Sequence, residues 1–230
     1  MIDAVAIVFE TFRISLPTVI DAWAGRLTRH KVDGRLRSWA RKVLDRADVR
    51  LDVRGRDDVD WSKTYVVMSN HQSHFDIPIA CATVPGSLRF IAKKELYSIP
   101  VFGRALREAG MIRIDRQDRE RAIESLREAA DALKGGVNVW IAPEGTRSRT
   151  GALGALKKGG FFLARETETP ILPMCIDGAY AILPPKTRTI AKGRTVKVTF
   201  GRPIPTAGRE RDDLMADVER FYRDNLKSAA

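Results

Sequence analysis

Residues 64–76, TYVVMSNHQSHFD, start as a continuous apolar strand and finish as a polar cluster with two histidines and an aspartate. Continuous apolarity is the pattern of a strand buried on both faces, as in the parallel sheets of α/β proteins. The cluster then falls at the strand's C-terminal end, the edge where open α/β sheets bind ligands. The chain has only three histidines, and His71 and His74 share this one turn. A metal site, a general base with an orienting carboxylate, and an ordinary polar turn all fit those few residues.

On both sides of this stretch strands and helices alternate, which is an α/β order. VRLDV reads as a strand before it; after it residues 73–83 read as a helix, LRFIAK as a strand, residues 95–109 as a helix and GMIRI as a strand. Residues 118–134 place Ile123, Leu126, Ala130 and Leu133 on one helical face and stop at Gly135 and Gly136. The strand VNVWIA, the helical KKGGFFLARET, the strands ILPMCID and TVKVTF and a charged helix over residues 209–227 follow. The predicted fold is a single mixed sheet flanked by helices, occupying residues 49–230 without internal repeat.

Residues 1–48 differ. Val5, Phe9, Phe12, Leu16, Val19, Trp23 and Leu27 recur every three or four positions, the period of one helical face. Leu36, Trp39, Val43 and Leu44 follow among many arginines and lysines, so the segment reads as two amphipathic helices joined near Gly34. Glu10, Arg13, Pro17 and Asp21 make the first a poor spanning helix, and no small-residue cleavage site follows a short apolar core. Two uses remain: helices packed on the domain core, or a monotopic membrane platform with apolar side chains in the acyl boundary and cations at the headgroups.

A formal net charge of +11 over 230 residues implies a polyanionic partner: nucleic acid, an anionic membrane or a phosphorylated substrate. Aromatic content of only 7% and the absence of a basic tail weaken the nucleic-acid reading. Cys81 and Cys175 both sit in apolar runs, as free buried cysteines do, so a reducing environment is expected.

The cluster's chemistry turns on spacing. Five residues apart on a regular helix, His71 and Asp76 would lie about 140° apart around the axis. They meet only if His71 occupies the turn before the helix and Asp76 its first turn; Pro78, tolerated near a helix start, supports this. Asp76 would then accept from one imidazole nitrogen and leave the other free to take a proton, the base and orienter of a triad. No Gly-x-Ser-x-Gly elbow supplies a nucleophile, so a substrate hydroxyl is expected to attack. Metal is disfavoured because His30, the remaining histidine, lies in the amphipathic segment.

A second constellation, APEGTRSRTG at residues 142–151, follows the strand VNVWIA. Gly145 lets backbone amides approach an anion, Thr146 offers a hydroxyl and Arg147 can grip a phosphate with two parallel hydrogen bonds. Asp115 and Arg116 end GMIRIDR at the same sheet edge, where a salt-bridged turn is the plainer alternative. GALGALKKGG lacks the Gly-Lys-Ser/Thr ending of a nucleotide loop.

In order, NHQSHFD, KKELYSIPVFG, GMIRIDR, APEGTRSR, KKGGFFLA and TPILPM resemble the glycerolipid acyltransferases, specifically the bacterial 1-acylglycerol-3-phosphate acyltransferases, over about residues 50–205. That resemblance implies transfer of a fatty acyl group from an acyl-CoA or acyl-carrier-protein thioester to the 2-hydroxyl of lysophosphatidic acid, with no cofactor beyond the donor. It implies His71 as general base and Asp76 as its orienter. Glu144, Gly145, Thr146 and Arg147 would form the glycerol-phosphate block, Arg116 a second substrate block and Pro173 the last. It also implies a membrane-resident acceptor, an anionic membrane surface as partner, and a place at the cytoplasmic face of the membrane. His74 stands where the family commonly has tryptophan or another bulky apolar residue, and Ala142 where it has phenylalanine. Other acceptors (glycerol 3-phosphate or another lysophospholipid), a nucleic-acid module, and a lipid-binding scaffold without catalysis are the alternatives.

Overall fold

Strand β3 (Val66–Ser69) is buried along its whole length, as its unbroken apolarity requires, and it occupies the middle of a seven-stranded mixed sheet. The computed structural model of the chain describes residues 2–115, 119–187 and 189–227. In chain order the sheet uses β2 (Arg50–Arg54), β3, β4 (Leu88–Lys93), β5 (Ile112–Ile114), β6 (Asn138–Ile141), β7 (Ile171–Asp177) and β9 (Thr195–Phe200). Their spatial order is β2-β9-β7-β3-β6-β4-β5. The five strands from β7 to β5 are mutually parallel, while β9 runs antiparallel to β7 and parallel to β2. A separate two-residue ladder joins β1 (Ile2–Asp3) to β8 (Thr189–Ile190).

Side chains alternate along β3, so Val67 joins one apolar layer and Val66 and Met68 the other. The first layer lies under α2 (Arg29–Arg46) and α3 (Asp76–Thr83), with Ala40, Val43, Leu44, Phe75 and Ile79. The second lies under α6 (Gly159–Glu166) and α7 (Arg211–Asn225), with Phe161, Leu163, Leu214, Val218 and Tyr222. Helices α4 (Phe102–Glu108) and α5 (Arg119–Lys134) complete the cover. Both cysteines are buried and free, and burial pushes each thiol up to about 12.

Two expectations about helix boundaries are corrected. The N-terminal pair joins at residues 24–28 rather than near Gly34. Gly25, at φ +65°, ends α1 (Ala4–Trp23), and the Thr28 hydroxyl accepts from the Lys31 amide to cap α2, while Gly34 sits inside α2 in open space. The expected helix over residues 95–109 is broken into a 3-10 turn, Lys94–Ser98, and α4, because Pro100 cannot donate and Val101 adopts φ +63°.

The two N-terminal helices also have different roles. The apolar residues of α2 belong to the domain core, and its buried Asp33 pairs with Arg89 of β4 at 2.7 Å. Helix α1 is turned inside out: Val5, Phe9, Phe12, Leu16 and Trp23 face outward, Trp23 at 81% exposure, while Glu10, Ser15 and Thr18 are buried. Its polar face meets α2 through Glu10 with Arg46 (2.6 Å), Asp21 with Lys31 and Arg35, and Thr11 with the Trp39 indole (3.2 Å). The stripe therefore does not pack on the core.

Candidate active site

Parallel register carries the C-terminal ends of β3 and β6 to one edge, with Met68 opposite Ile141. At that edge the Asn70 side chain replaces the main chain in the ladder: its Nδ2 donates to the Ile176 carbonyl and its Oδ1 accepts from the Ile176 amide, both at 2.8 Å. The backbone is thereby free to leave the sheet and turn into residues 71–75. There the His71 amide donates to Glu144 Oε1 at 2.7 Å, and the His71 carbonyl accepts from Ser148 at 2.7 Å.

His71 and Asp76 meet as the spacing demands. His71 Nδ1 lies 2.7 Å from Asp76 Oδ2, which also accepts the amides of Gln72 and Ser73 at 2.7 and 2.8 Å. A carboxylate fixed by two amides favours the tautomer with the proton on Nδ1, leaving Nε2 as a base. The ring stands edge-on to Trp140, 5.8 Å between centroids, and its side chain keeps 17% exposure, so it is held yet reachable. Gln72 and Ser73 tie the turn to its surroundings, Gln72 donating to the Gly151 carbonyl and Ser73 to the Leu183 carbonyl.

In the turn before α3 the amides of His71, Gln72 and Ser73 already donate to carboxylates, so these three are not free to meet a growing negative charge.

In the second constellation, Arg147 is half-buried and, among the described residues, has no carboxylate partner. Desolvation lowers its pKa while the Asp76 charge raises it, and the guanidinium remains a cation. Thr146 is exposed. Gly145 takes φ +69°, a left-handed conformation that favours glycine, and lies against the flexible Lys157 side chain. Glu144 is buried, with its Oε1 accepting from the His71 amide and its Oε2 from the Gly154 amide, both at 2.7 Å. Burial raises its pKa against those two hydrogen bonds. Pro173 is buried in β7, where a Cβ on Gly201 would come within 2.8 Å of its ring, and it does not line the cavity at His71. Arg116 lies outside the described residues. Among the described residues no three His, Cys, Asp or Glu side chains are grouped to hold a metal ion.

Two cavities reach the turn that carries His71 and His74. One of about 270 Å³ is lined by His71, Trp140, Ala142, Gly145 and Lys157. The other, about 240 Å³ and almost wholly apolar, lies between α1, α2 and α4, with Ile7, Leu36, Trp39, Phe90 and Phe102 in its walls and His74 at its edge. Desolvation first, then the positive charge of Arg147, pushes the His74 pKa down to about 4, so it is neutral at neutral pH. Asn70, Gln72, Ser73 and Trp140 were not singled out from the sequence, although polar residues closing an apolar strand are a signal of that kind.

Residues 50–177 match the family model described as Acyltransferase. The chain is 37% identical over 179 residues to the 1-acyl-sn-glycerol-3-phosphate acyltransferase alpha of Ovis aries, covering 77% of this chain and 62% of that protein. It is 33% identical over 172 residues to the chloroplastic 1-acyl-sn-glycerol-3-phosphate acyltransferase BAT2 of Brassica napus, covering 74% and 49%. The chain thus spans about half to three fifths of the length of these relatives. The crystal structure of the 1-acyl-sn-glycerophosphate (LPA) acyltransferase PlsC from Thermotoga maritima superposes with a TM-score of 0.79 at 25% identity, covering 96% of this chain and 93% of that one.

Proposed function

The chain belongs to the acyltransferase family, and from that premise we propose that it acylates the 2-hydroxyl of 1-acylglycerol 3-phosphate from an acyl thioester, forming phosphatidic acid. The observation that carries the reading is the His71 Nδ1 to Asp76 Oδ2 contact of 2.7 Å, with the imidazole open to a cavity and the Arg147 cation close enough to feel the Asp76 charge. Relatives that bear the same activity in their names support the acceptor.

Nε2 of His71 takes the hydroxyl proton as the acceptor oxygen attacks the thioester carbonyl. Asp76 stabilises the imidazolium. The tetrahedral adduct collapses, the C–S bond breaks, and the departing thiolate recovers the proton from Nε2. General base catalysis of this kind contributes about 10²- to 10⁴-fold, with positioning of the two substrates adding the remainder. Arg147 grips the acceptor phosphate, and Thr146 offers it a hydroxyl.

The outward face of α1 is the platform on which the enzyme sits. Among the described residues no helix is long and apolar enough to cross a membrane; the exposed apolar row of α1 supports a helix lying in the plane of an interface. The apolar cavity behind it accepts a hydrocarbon chain arriving from the bilayer. The cytoplasmic face, where thioester carriers are made, suits this arrangement.

Purified full chain, supplied with lysophosphatidic acid in vesicles and with acyl-CoA or acyl-carrier protein in parallel, should release free thiol and phosphatidic acid. Glycerol 3-phosphate and other lysophospholipids are competing acceptors in the same assay. Faster acylation of any of them than of lysophosphatidic acid would overturn the acceptor.

A further inference from the structure

We infer that a groove between α1 and α2, remote from the catalytic turn, binds the phosphate of an anionic glycerophospholipid of the bilayer. The inference rests on the platform reading above and adds a specific headgroup site to it. The groove, about 480 Å³ and open, is lined by Phe9, Glu10, Arg13, Lys42, Asp45 and Arg46. Its three cations face two carboxylates, leaving a net positive charge suited to a phosphodiester.

One lining residue explains how the cations are held. Glu10 is only 3% exposed, and both its oxygens are engaged: Oε2 accepts from Arg13 Nε at 2.9 Å, and Oε1 from Arg46 Nε and Nη2 at 3.1 and 2.6 Å. A buried carboxylate thus draws one guanidinium from each helix to the same spot. Each arginine keeps terminal N–H groups that bond no described residue, and Lys42, one turn before Arg46, has no ion-pair partner among the described residues. Arg46 also lies in the last turn of α2, where the helix dipole favours a cation.

The lipid source follows from what adjoins the groove. Phe9 forms its edge and belongs to the outward apolar stripe. A ligand with its phosphate at Lys42 would lay its glycerol and acyl chains along Phe9, which a free phosphate ion cannot do.

Co-flotation of the full chain with phosphatidylcholine vesicles and with equimolar phosphatidylcholine and phosphatidylglycerol vesicles tests this. Wild type should bind both and prefer the anionic ones. Lys42→Ala should lose about fivefold on anionic vesicles only, the equivalent of about 1 kcal/mol for a cation at an anionic surface, and Lys42→Arg should restore it. Arg41→Ala, the neighbouring α2 cation outside the groove, should change binding less; equal losses at 41 and 42 would mean general surface charge and overturn the site. Wild-type binding without anionic preference would overturn the groove while leaving the platform standing, whereas no binding to either vesicle would overturn both. Inorganic phosphate should not displace the protein, and displacement by it would overturn the lipid assignment.

Discussion

The carboxylate of Glu144 holds the main-chain amide of His71 at 2.7 Å, across 73 residues of sequence. Through that amide it sets where the imidazole starts. Its second oxygen anchors Gly154, so one side chain fixes the catalytic turn to the loop that carries Arg147. Glu144→Ala should therefore lower kcat by about 10²-fold, the scale of a 1 Å misplacement, with acceptor KM nearly unchanged. Steady-state kinetics separate this from loss of a phosphate contact, which would raise KM. Glu144→Gln should recover little, since its amide group would confront one of the two N–H donors.

Removing the base itself should act on kcat alone. His71→Ala is expected to lose about 10²- to 10⁴-fold with vesicle binding intact. Asp76→Asn can keep an oxygen on the imidazole and the two amides that share Oδ2, but it loses the charge that stabilises the imidazolium and buries an NH2 where Oδ1 has no partner, so it should lose activity and some thermal stability. Melting curves beside turnover assays check the pair, and near-normal turnover in either variant would sink the assignment.

Arg147 meets no carboxylate among the described residues, so its cation is available to the acceptor. Arg147→Ala should raise acceptor KM roughly ten- to hundredfold, the loss of a charge-assisted hydrogen bond worth about 1.5–3 kcal/mol. Arg147→Lys keeps the charge without the fork and should fall between. Donor KM should hardly move, which a two-substrate kinetic matrix would reveal.

The joint between α1 and α2 should loosen in acid. Burial works to raise the Glu10 pKa, but hydrogen bonds from Arg46 and Arg13 outweigh it and hold the carboxyl below 4.5. Asp21 is likewise lowered from 3.8, by Arg35 first and then Lys31. A carboxylate depressed in the folded state lends stability that is present above its unfolded value and lost as the pH falls through the folded one. Thermal melts should thus drop as the pH falls below about 4.5, and Glu10→Gln should flatten the Glu10 part of that decline.

Local spacing made the His71–Asp76 contact legible, because a strand end and a helix start five residues apart leave few geometries. The partnership of Glu144 with His71 was not legible, since it depends on β6 lying beside β3, a strand order that no short stretch specifies. Periodicity located the stripe on α1 but not its direction; that is decided by Arg35, Trp39 and Arg46 of α2, which bind the opposite, polar face. Gly34 and Gly25 show the same limit: either glycine could end a helix, and only Gly25 takes the left-handed conformation that does so.

The outward stripe of α1 bears on how the protein survives outside a cell. Val5, Phe9 and Trp23, at 73, 62 and 81% exposure, form a row that water cannot cover favourably. In detergent-free buffer, molecules should pair through this row and grow into larger particles, while the sheet beneath stays folded. Mild detergent should disperse them without refolding, and serine at Phe9, Phe12 and Leu16 should yield a monodisperse preparation without detergent.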